Sequence, residues 1–205
     1  MTYEIDISNS QSSLKFDCQA LQAAVIQGLK LEGVTSAVLS ISIVDNKAIH
    51  VINRDHLRHD YPTDVISFQL DFCSDGDAFD DFPVDDSMLS DDDLGEFDAL
   101  DSAEDEIETV STGGDESDDA PELRADGASI EGEIIASAEM ALSMATEGCW
   151  SAQDELTLYV IHGMLHICGY EDLTPEEQSI MRSREKAIMS SIGCTAIDTA
   201  EPGSK

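Results

Sequence analysis

The chain is expected to fold as an α+β protein, a single compact domain with a small mixed sheet packed against helices. Three observations lead there. Short segments alternate apolar and polar residues or are rich in β-branched types. Longer segments place apolar residues every three or four positions. No regular strand–helix–strand rhythm links the two kinds. With 205 residues, 41% of them hydrophobic, the chain has material for one core, is short for two, and is not disordered throughout.

Residues 3–8 alternate and predict a short strand. From about Leu14 to Leu31 the series Leu14, Cys18, Leu21, Val25 and Leu29 has helical spacing, and Gly33 stops it. The run S-A-V-L-S-I-S-I-V at 36–44 predicts a strand. A short helix over about 46–57, a turn at D-Y-P-T-D and a strand from Val65 to Leu70 follow. Beyond an acidic stretch, E-G-E-I-I-A-S (131–137) predicts a strand, leading into a helix over about 138–147 closed by Gly148. Ser151 and Asp154 have the spacing of a capping box and open a helix to Ile167, with Gly169 as its stop. Thr174, Pro175 and Glu177 supply cap, first-turn proline and capping partner for a last helix to about Ile192.

Charge divides the chain. Its 44 acidic and 10 basic side chains give a formal net charge of -34. About 23 of the acidic residues, against the single basic Arg124, lie between Asp71 and Asp126, with no sustained apolar period. The expected organisation is therefore one domain from 1–70 and 127–195, an acidic, disordered insertion at 71–126 and a flexible tail at 196–205. Without the insertion about -12 remains. Such a surface repels polyanions at long range, so nucleic-acid binding requires the charge to be held away from the working face. The five cysteines are odd in number and lack CxxC spacing, which excludes a disulfide framework and suits a reducing compartment. M-T-Y-E-I-D-I-S has no signal-peptide character, and no apolar run reaches the ~18–20 residues that span a bilayer, so a cytoplasmic location with no membrane partner is expected.

The chemistry centres on H-G-M-L-H. His162 and His166, four apart on a helix, stack on one face about 6 Å apart along the axis, close enough for two imidazoles to converge on one ion. The chain then turns at Gly169 through Tyr170 to Glu171 and Asp172, either of which can supply a third, carboxylate ligand. Two histidines and a carboxylate with an open fourth position make a catalytic rather than a structural zinc site. Gly163 stands where an H-E-x-x-H metalloprotease carries its general base, which argues against peptide hydrolysis by that route.

H-G-M-L-H-I-C-G-Y-E-D (162–172) resembles the signature of the YbeY endoribonuclease family, H-G-x-L-H-x-x-G-Y-D-H. I-N-R-D-H-L-R-H-D-Y-P-T-D-V-I-S-F (52–68) resembles the family block centred on D-x-P-T-D-V-L-S-F, and G-E-I-I-A-S (132–137) its G-D-I-x-I-S strand. The resemblance implies an α+β domain with one zinc ion, acting as a single-strand-specific, metal-dependent endoribonuclease in ribosomal RNA maturation and ribosome quality control. By position, His162 and His166 match the first two family ligands. Asp172 stands where the third is a histidine, and Glu171 is the second candidate. The family arginine before D-x-P-T-D aligns with Leu57, one residue before Arg58, so Arg58 is the candidate for the substrate phosphate, with Arg54 behind it.

His56 and His59 are read as exposed residues, Thr63, Asp64 and Ser67 as turn and strand packing, Cys168 as a small buried residue, and Trp150 and Tyr170 as core or cap residues. The implied partners are single-stranded or ribosomal RNA and the ribosome or its small-subunit proteins, with no DNA. The competing functions are a non-catalytic, ribosome-associated zinc-binding module and a metal-dependent hydrolase with a non-RNA substrate.

Overall fold

Side-chain caps decide where several helices begin. The structure is a computed structural model and describes residues 1–58, 60–74, 123–148 and 150–194. Its elements are β1 (Thr2–Asn9), α1 (Cys18–Leu31), β2 (Ser36–Val44), α2 (Asn46–Ile52), a π-helical turn (Asn53–Leu57), β3 (Val65–Cys73), β4 (Ser129–Ser137), α3 (Ala138–Gly148), α4 (Ala152–Ile167) and α5 (Pro175–Ser191). Asp17 accepts from the Gln19 and Ala20 amides, so α1 starts at Cys18 and not near Leu14. Leu14 and Phe16 still pack on the core, but from extended chain. Asp45 caps α2, Ser151 caps α4, and Thr174 with Glu177 forms the reciprocal capping box of α5.

The sheet order is β1-β2-β4-β3, with β1, β2 and β4 parallel and β3 antiparallel at one edge. This is the expected α+β class: a mixed four-stranded sheet and five α-helices. All described residues belong to one structural unit, spanning Met1–Asp77 and Leu123–Lys205.

Alternation sorts the strand residues. Ala37, Leu39, Ile41 and Ile43 of β2, with Ile130, Ile134 and Ala136 of β4, join the main core. Against them pack Leu21, Val25 and Leu29 from α1, Leu156, Val160, Ile161, Met164, Leu165 and Ile167 from α4, and Met181, Ile188 and Met189 from α5. The opposite parity supplies Ile66 and Ile135 to a smaller cluster under α2, with Val44 and Ile49. Helix α4 is thus the central helix, apolar on most of its circumference.

Further boundaries differ from the sequence reading. The helix expected over 46–57 changes to π geometry at Asn53, whose buried amide donates to the Tyr61 carbonyl at 2.8 Å. Strand β3 runs on to Cys73 past a register shift between Gln69 and Asp71, because β4 begins at Ser129 and gives it partners there. Arg124 and Asp126 fall in an ordered turn preceding β4. The rest of the expected insertion, residue 195 with the expected tail at 196–205, and His59 lie outside the described residues.

Candidate metal centre

The two histidines sit in the last turns of α4, and the way that helix ends shapes the site. Gly169 takes φ 87°, a left-handed conformation that glycine adopts at little cost. Its amide donates to the His166 carbonyl at 2.9 Å and the Tyr170 amide to the Leu165 carbonyl at 3.1 Å, the paired bonds of a Schellman stop. The chain is thereby folded back, and the Tyr170 carbonyl meets the ring it has just passed: His166 Nδ1 donates to it at 2.9 Å.

His162 is held from the other side. Its Nδ1 lies 2.6 Å from Glu185 Oε1 on α5, a carboxylate with only 14% of its side chain exposed. Carbonyl and carboxylate oxygens only accept, so both Nδ1 atoms carry hydrogen and both Nε2 lone pairs are directed elsewhere. They are directed at each other, 3.1 Å apart, with the rings at 89°. Asp172 Oδ2 stands 3.9 Å from His162 Nε2, and the three ligand atoms lie within 4.8 Å of one another.

Facing lone pairs beside a carboxylate call for a cation. Nitrogen ligands of a tetrahedral zinc stand about 3.3 Å apart for bonds of ~2.0–2.1 Å. The donor set and its spacing fit that ion, and the outer hydrogen bonds are of the kind that fix ligand imidazoles. Burial works to lower the pKa of His162, but the Glu185 hydrogen bond and the charges of Glu185, Asp172 and Asp64 together raise it. The same cup that fits a metal ion thus also favours a proton.

A cavity of about 480 Å³ opens over the histidines, lined also by Thr63, Asp64, Ser67, Gln69 and Glu171. Thr63, Asp64 and Ser67 do serve the turn and strand: Asp64 Oδ1 accepts from the Val65 amide at 2.9 Å and from the Thr63 hydroxyl at 2.8 Å. They also wall the cavity, which the sequence reading missed. Both acidic candidates reach the site in different ways, Asp172 within the ligand trio and Glu171 in the cavity wall.

Arg58 does not join them. It ends the π turn in a left-handed conformation, φ 61°, is exposed, and lines no part of this cavity. Arg54 pairs with its neighbour Asp55 at 3.0 Å in the open. His56 rests edge-on against Phe68, ring centres 5.8 Å apart.

Cys168 is fully buried, and burial pushes its thiol well up. Tyr170 is a core residue. Burial and a 2.7 Å hydrogen bond to Glu32 push its hydroxyl up to about 12. Glu32, itself inaccessible, also takes two hydrogen bonds from Arg184 at 2.8 and 3.0 Å. This ion pair ties α1, the Gly169–Tyr170 turn and α5 together one residue from Glu185. Neither Glu32 nor Glu185 was legible, since no local motif marks a carboxylate 23 residues beyond the histidine it orients.

The glycine between the histidines has a packing reason. A Cβ on Gly163 would stand 3.1 Å from Ile134 Cγ2 and 3.2 Å from Val65 Cγ2, because α4 lies directly on the sheet there. A glutamate at 163 would have to displace Ile134, Val65 and Ser67, the last two of which wall the cavity.

The comparisons with known proteins agree with this architecture. Residues 5–193 match the family model described as Endoribonuclease YbeY. A Rhodopirellula baltica protein of that name is 33% identical over 175 residues, 84% of this chain and 63% of that protein, so the chain spans less than two thirds of this relative. The Oceanobacillus iheyensis protein is 30% identical over 92% of this chain and 97% of its own length. The Bacillus velezensis protein is 30% identical over 95% and 99%. A match from β1 to the end of α5, running through both the histidine helix and the strands beneath it, makes this chain a member of the YbeY endoribonuclease family.

Proposed function

We propose that the protein is a single-strand-specific, metal-dependent endoribonuclease of ribosomal RNA maturation and ribosome quality control, with one zinc ion on His162, His166 and Asp172. The observation that carries this reading is the pair of Nε2 atoms 3.1 Å apart with both Nδ1 atoms already bonded. When bound, the ion would supply Lewis acidity towards water and a phosphate oxygen. Glu185 and the Tyr170 carbonyl keep the two rings aimed inward. Asp172 adds a negative charge where the family pattern has a neutral imidazole, which lowers the acidity the ion can confer. The Ser67 hydroxyl in the cavity wall can donate to a phosphate oxygen. Arg58 is assigned to the charge that develops on that phosphate, which requires its loop to bring the guanidinium over the cavity. Among the described residues no helix is long and apolar enough to cross a membrane. RNA and basic ribosomal proteins are the expected partners, in the cytoplasm.

The test is cleavage of single-stranded RNA, with and without chelator, alongside metal content and circular dichroism. Wild type should cut only with metal. His166→Ala and Asp172→Ala should lose both metal and cutting while staying folded, and Arg58→Ala should keep metal and bind RNA more weakly. Cutting that survives the chelator would sink the mechanism. Unfolding of His166→Ala would assign the ion a structural role.

A further inference from the structure

Beside the histidine cavity is a second one of about 330 Å³, within the ~300–1,000 Å³ range of ligand sites. Thr63 and Asp64 line both, so the two cavities adjoin across those residues. The second is completed by Pro62, by Met140 and Met144 of α3, and by Glu155 and Tyr159 of α4. Nothing proposed above uses it.

Its chemistry is specific. Among the described residues no lysine or arginine lines it, and two carboxylates do, so it repels a phosphate and suits N–H donors. Glu155 is only 7% exposed and has two donor groups beside it, the Trp150 indole and the Tyr159 hydroxyl. Two donors do not exhaust the roughly four acceptor positions of a carboxylate. Asp64 takes both its hydrogen bonds on Oδ1, leaving Oδ2 to accept. The remaining wall is thioether and pyrrolidine, apolar and polarizable, suited to the face of a flat ring. A ligand with N–H groups along one edge and apolar faces is an unpaired nucleobase, whose Watson–Crick edge is what proteins read in single-stranded RNA. Guanine alone places two donors, N1–H and N2–H, side by side to match the two oxygens of one carboxylate. Adenine and cytosine set an acceptor beside their amine, and uracil flanks its one donor with two acceptors.

We propose that this cavity is a base subsite that takes a guanine flanking the scissile phosphate, with Glu155 receiving its N1–H and N2–H. The placement of the phosphate rests on the endoribonuclease reading, whereas binding of the base does not. Trp150 is the only tryptophan in the sequence and lies beside Glu155, so its fluorescence reports occupancy. The experiment titrates guanosine, adenosine, cytidine and uridine 5′-monophosphates into the full chain, metal-stripped and zinc-loaded. Guanosine monophosphate should bind at least tenfold more tightly than the others in both forms. Glu155→Gln, which turns an amide N–H towards guanine's donors, should erase that preference. Met144→Ala, on the exposed rim, should weaken all four nucleotides without reordering them. Equal affinity for the four in wild type would overturn the proposal whatever the variants do. So would a folded Glu155→Gln that keeps the preference, or a Trp150 response to Zn²⁺ or Mg²⁺ that guanosine monophosphate does not compete away. Guanine selectivity without RNA cleavage would instead leave the subsite standing and remove the nuclease reading.

Discussion

Glu185 stands 2.6 Å from His162 Nδ1 and cannot itself reach the ion position, since Nε2 faces the other way. Its work is to fix tautomer and ring angle. Glu185→Gln should lower zinc affinity by about 10–100-fold, the cost usual for such partners, measured by competition with a chromophoric chelator. Unchanged affinity would mean that the ring is held by packing alone. Glu155 gives a second prediction at this scale. Desolvation raises its pKa, with a further push from the Asp64 charge against opposing hydrogen bonds from Tyr159 and Trp150. The folded state then binds the proton more tightly than the unfolded state, so this contribution to stability is complete below the ordinary glutamate pKa. It is lost as pH rises through the raised value. Subtracting the stability curve of Glu155→Gln from that of wild type should show this fall, and a flat difference would refute it. The two histidines and Asp172 were legible because they share one helix and its stop. The residues that hold them were not, because Glu185 and the Tyr170 carbonyl become neighbours only after α5 packs.

Helix α5 is positioned by the buried pair of Glu32 and Arg184. Arg184→Met would strand a charge with no exposed surface, and such breaks cost about 3–5 kcal/mol. A denaturant midpoint should show this loss, and adding Glu32→Gln should recover part of it, since the amide still accepts from Tyr170. Stability unchanged in Arg184→Met would show that the pair contributes nothing. At the level of elements most of the fold was readable. Caps at Ser151 and Thr174 and the stop at Gly169 are local hydrogen-bond chemistry, and the strands follow alternation. The π turn at Asn53 was not readable, because it depends on a tertiary hydrogen bond to Tyr61. The far end of β3 was also hidden, since Asp71–Cys73 are strand only by virtue of β4 beside them.

For the whole molecule the governing quantity is a net charge of -34 set against the polyanionic substrate proposed above. A basic nuclease loses RNA affinity as salt rises, through counterion release. Here the long-range force is repulsive. Between about 0.01 and 0.15 M salt the screening length shrinks from ~30 to ~8 Å. The KM for single-stranded RNA should therefore fall over that range, and a rising KM would show that the reacting surface is locally basic after all.

The antiparallel pairing of Cys73 with Ser129 puts both ends of the intervening chain on one rung of the ladder. Closing such a detour costs only about 0.6 kcal/mol for each doubling of its length. The gap between these two strands is thus a natural port in the scaffold. A foreign domain whose own ends lie near each other could be spliced between Ser74 and Leu123, which keeps Arg124 on the Gly169 carbonyl at the turn beside the histidines.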